Sequence, residues 1–363
     1  MRAESPQPET PPGAERVSVW QSPWMNTLGR FVALLVVFLF FAILVEDGKF
    51  YTSRNLENIA RQSAVYATAA LGMTLVIIAG GIDLSVGSVI ALTVVVVAWV
   101  LDRPCDVIQA DGSVVAGSLI DQWPALLPIA ALAIGVLAAM LAGIVNGCLV
   151  VGLRLVPFIV TLGTMGIFRG VAKGIADEKD IYPPVDTWLN GIMDPTLTSR
   201  DPGRSWMLLP PGIWALILAA LLAALLLRYT RLGRHIFAIG SNQDTARLCG
   251  VPVERTKIVV YMLAGLFGGL AGIMQFSFIS GIGQPTTAIA YELFVIAAVV
   301  IGGGSLLGGE GSILGSLIGA LIITILYMGG QQMGWPKWVQ ETVIGGIIIA
   351  AVALDRVRHR STN

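Results

Sequence analysis

The sequence predicts an all-α polytopic membrane protein of about ten transmembrane helices. Three observations carry this reading. Apolar residues make up 55% of the 363-residue chain and charged residues 13%, and the apolar stretches reach the roughly 20 residues that one bilayer crossing needs. Two of these stretches are interrupted by glycine-rich breaks, near 80–87 and near 302–310. Lys and Arg are concentrated in a few loops, as expected of a chain with one basic side.

Taken in order, residues 1–27 are polar and carry Pro6, Pro8, Pro11 and Pro12, which predicts a disordered cytoplasmic tail. The transmembrane domain spans 28–354, with expected helices at 28–45, 62–80, 84–101, 125–151, 155–174, 212–228, 257–279, 289–304, 311–328 and 338–354. The first is expected to remain as a signal anchor, because no small-residue cleavage site follows it. The long 125–151 segment predicts a tilt or a bend near Gly143. Residues 355–363 form a second cytoplasmic tail.

The first break reads IAGGIDLSVGSVIAL at 78–92. Backbone leaves a helix at membrane depth only where protein or a wet cavity receives it. Gly80 and Gly81 supply the freedom to turn, and Asp83 or Ser85 can cap the following helix. The second break, GGGSLLGGEGSILG at 302–315, includes Gly303 and Ser305. A pair of glycine-interrupted apolar segments in the two halves points to a transport path. Gly80, Gly81, Asp83, Ser85, Glu292, Gly303 and Ser305 are therefore candidates for the path or its gate. Asp83 and Glu292 also have a plain reading as helix caps at the interface. Arg169 and Lys173, one turn apart, read as side chains snorkelling to the outer surface.

With the N-terminus inside, the densest basic loop, 229–256 with Arg231, Arg234, Arg247 and Arg255, is cytoplasmic. The Arg154 turn and the Arg356, Arg358 and Arg360 tail then lie inside as well. Gly166, Gly170 and Gly174 are spaced for close helix contact, as are Gly311, Gly315 and Gly319, and the pairs Gly265/Gly269 and Gly268/Gly272. Ordinary packing within the chain explains such spacing, and a dimer interface is the alternative.

The 229–256 loop carries a short helix with stop signals at both ends. Ser241 is the expected N-cap, Asp244 and Arg247 match the helix dipole, and Gly250 followed by Pro252 ends it. Ser241, Asn242, Asp244, Ala246, Arg247 and Gly250 are the candidate residues for docking a cytosolic partner, with small Ala246 facing that partner.

Three blocks now make a resemblance specific: GMTLVIIAGGIDLSVGSVIAL at 72–92, GSNQDTARLCGVPV at 240–253 and AVVIGGGSLLGGEGSILGSLIGALI at 298–322. Together they resemble ribose-type ABC importer permeases. The resemblance implies a permease that works with a second permease subunit, identical or different. It also implies two cytosolic ATP-binding subunits that hold ATP and Mg, and an extracytoplasmic sugar-binding protein. Asn242, Ala246 and Gly250 match the loop that would touch the ATPase. Thr245 and Cys249 depart from the usual Ala and Ser, Phe294 from the usual Asp, Glu310 from a basic residue and Met328 from Asn.

The chain has no G-x-x-x-x-G-K-[ST] and no H-E-x-x-H, so neither ATP nor a His-paired zinc is expected in it. No nucleophile–base pair suggests an enzyme. Beyond its protein subunits the expected partner is membrane lipid, not nucleic acid, and the expected location is a bacterial inner membrane with both termini cytoplasmic. An ion-coupled secondary transporter of a small polar solute is the alternative function.

Overall fold

The computed structural model describes residues 23–108, 114–196 and 208–360. Helix α1 (Pro23–Leu44) leads through a 3-10 turn at Glu46–Tyr51 into α2 (Ser53–Ile78). After the first break come α3 (Val86–Leu101) and an antiparallel hairpin of β1 (Pro104–Ile108) and β2 (Val114–Ser118). Then follow the short α4 (Leu119–Gln122), α5 (Leu126–Leu153), α6 (Pro157–Ile175) and, past a 3-10 turn at Asn190–Ile192, α7 (Pro211–Tyr229). The basic loop folds as α8 (Arg231–Ser241) and α9 (Gln243–Leu248). The chain ends with α10 (Val253–Phe278), α11 (Tyr291–Ile301), α12 (Ile313–Gln332) and α13 (Lys337–Arg360).

Among the described residues, six helices are long and apolar enough to cross a membrane: α2, α5, α6, α7, α10 and α12. Residues 28–44 of α1, α3 and α11 are apolar but shorter. Helix α2 is the axis of the molecule: 94% of its apolar window is buried, and it packs against α7, α10, α11 and α12. Helices α5, α6 and α7 are only about one-third buried and form the apolar exterior.

Small residues set the closest crossings. A Cβ at Gly265 would lie 2.3 Å from the Ala139 carbonyl oxygen of α5, one at Gly272 2.5 Å from Thr93 Cβ of α3, and one at Gly319 1.9 Å from the Ala298 oxygen of α11. Gly143 is a contact of the same kind, 2.2 Å from the Tyr261 oxygen, and α5 runs through it as one helix. The α6 stripe is different. Among the described residues, Gly163, Gly166, Gly170 and Gly174 have nothing within 4 Å of an added Cβ, so packing within this part of the chain does not account for them.

The expected boundaries shift where polar residues are buried. Helix α2 begins at Ser53, not near 62, because its polar first turns face the protein. Glu57 is 2% exposed and accepts from the Thr196 amide, and the Arg61 guanidinium donates to the Met193 carbonyl. Helix α1 starts at Pro23 and α13 runs on to Arg360, so helix replaces part of each expected tail; residues 1–22 lie outside the described residues.

Candidate functional site

Both breaks close in the same way. Gly80 has φ +78°, its amide reaches the Ile77 oxygen at 2.9 Å, and the Gly81 amide reaches Val76 at 2.9 Å. Gly303 has φ +83°, its amide reaches Val300 at 2.8 Å, and the Gly304 amide reaches Val299 at 2.8 Å. This is the paired backbone bonding that ends a helix on a left-handed residue, which glycine adopts without a Cβ penalty.

After the first break, Asp83 Oδ1 accepts from the Ser85 amide at 2.8 Å and the Ser85 hydroxyl at 2.6 Å. Asp83 thus holds the turn that starts α3, and Ser85 is held in turn by Asn146 Nδ2 of α5 at 2.8 Å. Thr161 Oγ1 of α6 accepts from the Leu84 amide at 3.1 Å. Asp83, Ser85, Asn146 and Thr161 are all buried. Asn146 and Thr161 escaped the sequence reading, although an amide inside an apolar helix is itself a signal. In the second break Ser305 is buried, and its hydroxyl accepts from the Leu307 amide at 3.3 Å. Arg30 of α1 covers Gly303 and donates to Ser312 Oγ at 3.3 Å.

The starts of α3 and α11 meet. A Cβ on Gly87 would lie 2.5 Å from both the Ala288 oxygen and Glu292 Oε2. The Glu292 carboxylate faces the amides of Ala290 and of its own residue, at the positive end of α11. Arg169 does not snorkel. Its guanidinium donates to the carbonyls of Pro285 at 3.0 Å, Thr287 at 2.5 Å and Ala288 at 3.4 Å, because the irregular segment before α11 turns these backbone oxygens toward α6. Lys173 stays exposed.

In the basic loop the expected cap moves by one residue. Asn242 Oδ1 accepts from the Thr245 amide at 2.9 Å and caps α9, while Ser241 is the last residue of α8. Gly250, at φ +81°, ends α9 with the same paired bonds seen at the two breaks, from its own amide to Arg247 and from the Val251 amide to Ala246. Ala246 does not face outward: it is 5% exposed and packs with Ile239 and Val253. Its small size fits the seat beneath α9. The residue that α9 does present is Leu248, 89% exposed, beside exposed Asp244, Arg247 and Cys249. Arg247 pairs with Glu254, and Lys257 donates to Gln243, along a polar cleft that also takes in the Arg154 turn.

The breaks and the loop converge at one point. The Gly309 amide donates to the Ile78 carbonyl, the last of α2, at 2.9 Å. Gly240 of α8 sits against this bond, and a Cβ there would lie 1.7 Å from the Ile78 oxygen and 2.5 Å from the Gly309 nitrogen. Gly80 and Gly308 border the same point. The structure thus gathers Gly80, the end of α8 and the second break, while Asp83 and Glu292 lie with the helix starts, and Asp244 and Arg247 stay on the surface.

The sequence profile of a family described as the permease component of a branched-chain amino acid transport system matches residues 55–352. The ribose import permease protein RbsC of Escherichia coli K12 is 38% identical over 337 residues, covering 93% of this chain and 95% of that protein. The D-allose transport system permease protein AlsC of the same strain is 35% identical over 330 residues, 91% of each chain. The L-arabinose ABC transporter permease protein AraH of Azospirillum brasilense is 33% identical over 360 residues, 98% of this chain and 94% of that one. No solved structure matches the chain. On these matches, extending from α2 to α13, the chain belongs to this family of ABC transport permeases, alongside its sugar-importing members.

Proposed function

We propose that this chain forms the translocation path of an ATP-driven importer for a monosaccharide, a ribose-like pentose or a hexose. An extracytoplasmic binding protein delivers the sugar, and separate cytosolic subunits bind ATP and Mg. The observation that carries this reading is the convergence at Gly240, where the basic loop touches both membrane breaks through backbone alone. A push on α9 therefore has a short, stiff route to both breaks, the arrangement an external motor needs and an ion-coupled carrier does not. The relatives' sugars supply the substrate class.

In this reading the chain crosses the inner membrane ten times, by α1, α2, α3, α5, α6, α7, α10, α11, α12 and α13. Helix α11, with 11 residues, spans about 16 Å of a core roughly 30 Å thick, and the irregular segments beside it complete the crossing within the protein. The Lys/Arg bias puts both termini and the 229–256 loop in the cytoplasm. A second permease subunit, identical or different, completes the assembly, and the bare glycine face of α6 supports a helix partner outside this chain. The test is uptake by proteoliposomes holding the permease with its ATPase and binding protein. Uptake of a pentose or hexose that needs both ATP and the binding protein is expected. Uptake driven by a proton or sodium gradient without ATP would mean a secondary transporter.

A further inference from the structure

A cleft of about 740 Å³ opens between the turn that joins α5 to α6, the short helix α9 and the first turns of α10. That volume lies within the roughly 300–1,000 Å³ of small-molecule sites. Arg154, Arg247 and Lys257 line it against one carboxylate, Glu254. Arg247 is paired with Glu254, and Lys257 donates one hydrogen to Gln243 and keeps two. Arg154 is exposed and makes no hydrogen bond or ion pair with the described residues. Its backbone is left-handed, at φ +53°, where α5 ends, a conformation that residues other than glycine rarely adopt. The start of α6 borders the same space through Val156. No side chain caps that helix and its first turn holds no acidic residue, so the positive end of a 19-residue helix has no answering charge of its own.

The rest of the lining is aliphatic and belongs to the outside of the bundle. Leu155 and Val156 line the cleft and are exposed, and Leu153 and Ile159 beside them are exposed as well. They lie at the facing ends of α5 and α6, helices that are only about one-third buried. In a bilayer, a lipid whose chains cover this flank has its headgroup level with Arg154 and Lys257. A soluble anion or an acidic peptide answers the cations but leaves the flank uncovered.

We propose that the cleft binds the phosphate headgroup of one anionic phospholipid, whose acyl chains lie along Leu155, Val156 and Ile159. Under the proposed orientation this lipid belongs to the cytoplasmic leaflet. Three cations against one carboxylate select an anionic over a zwitterionic headgroup. Guanidinium, ammonium and the first amides of α6 hold the phosphate oxygens. Because Gln243 and Arg247 belong to α9, the lipid also ties that short helix to the membrane domain. The site depends on the chain lying in a membrane and not on the solute it carries.

The test uses the full permease assembled with its ATPase, purified in detergent and given an equimolar mixture of dioleoylphosphatidylglycerol and dioleoylphosphatidylcholine. Native mass spectrometry counts each lipid retained. The wild-type complex is expected to retain the anionic lipid over the neutral one by about tenfold or more. Arg154→Gln and Lys257→Gln are each expected to lower that preference about fivefold, and the two together more than tenfold. Glu254→Gln removes the one carboxylate of the lining and frees Arg247, and is expected to raise it several-fold. Arg234→Gln, at an exposed cation of the same basic loop outside the cleft, is expected to leave it unchanged. An unchanged melting temperature in lipid-free detergent separates these effects from misfolding. The site is overturned if the wild-type complex retains the two lipids equally, a result that needs no variant. It is overturned equally if a folded Arg154→Gln, Lys257→Gln double variant keeps the full preference, or if Arg234→Gln lowers it as much, which would mean diffuse attraction alone. Glycerol 3-phosphate at millimolar concentration is expected not to displace the lipid; displacement would make this a site for a soluble anion instead. The permease without its ATPase is expected to hold the same lipid; a lipid that enters only when the ATPase is removed would give the cleft to that subunit. Neither sugar nor ATP enters these measurements, so their failure leaves the importer reading standing, and a failure of uptake leaves the lipid site standing.

Discussion

Gly309 donates its amide to the carbonyl of Ile78, and this single backbone bond, 2.9 Å long, joins the two breaks of the membrane domain. The last carbonyls of a helix lack partners within it. Here the final one of α2 is satisfied by a residue 231 positions later in the chain, and the last turn of α8 closes over the bond.

The first prediction concerns that closure. Gly240→Ala places a methyl group 1.7 Å from the Ile78 oxygen, and backbone on both sides leaves nothing flexible to yield. An overpacking cost of about 1–3 kcal/mol is expected, with sugar uptake lost while the ATPase still co-purifies. Gly250→Ala is the comparison. Its added Cβ meets nothing within 4 Å and only the left-handed backbone resists, at roughly 1–2 kcal/mol. Equal loss of uptake in both variants would argue against a special role for the junction.

The second prediction concerns the face that α9 offers. Ala246→Trp is expected to unfold α9 locally, because the site is filled by Ile239 and Val253. Leu248→Asp is expected to leave the permease folded, since the side chain is 89% exposed. It should weaken ATPase retention by tenfold or more, a loss of about 1.5 kcal/mol or greater for one apolar contact. Thermal stability of the permease alone, set beside ATPase co-purification, distinguishes the two.

The third prediction concerns Asp83. Asp83→Asn keeps an oxygen for the Ser85 amide and is expected to retain most uptake. Asp83→Leu removes the acceptor for two donors, the Ser85 amide and hydroxyl, at a cost of about 1 kcal/mol or more. A normally expressed Asp83→Asn protein without uptake would move Asp83 from holding the turn to acting in the path.

The fourth prediction concerns sidedness. With Cys105, Cys148 and Cys249 replaced by serine, Arg234→Cys should resist an impermeant thiol reagent in intact cells and react once the membrane is opened. Lys179→Cys, in the exposed loop after α6, should react in intact cells. The reverse pattern would invert the topology.

Much of this was legible in the sequence because glycine at a helix end has few competing meanings. The turns at Gly80, Gly303 and Gly250 need left-handed backbone, and the chain writes that need locally. What was hidden depended on distant partners. Arg169 carries the same letters whether it reaches lipid headgroups or the carbonyls of Pro285, Thr287 and Ala288, and only the fold brings those oxygens near. The polar start of α2 fell outside the expected 62–80 helix because Glu57 and Arg61 find their partners in the segment around Met193 and Thr196. Ala246 shows a different difficulty. A small residue fits equally well under a helix or against a partner, so its size could not reveal which side it faced.

The bare glycines of α6 have a practical consequence for anyone stabilising this protein. Alanine in place of Gly163, Gly166, Gly170 or Gly174 meets no steric resistance from the described residues of the lone chain and raises helix propensity by up to about 1 kcal/mol each. In the lone chain, then, these four substitutions are thermostabilising. Where another helix rests in the groove, the same methyl groups hold it away, and the sign of the change reverses. A melting temperature that rises for the isolated subunit and falls for the assembled transporter would therefore locate a neighbour without any image of it.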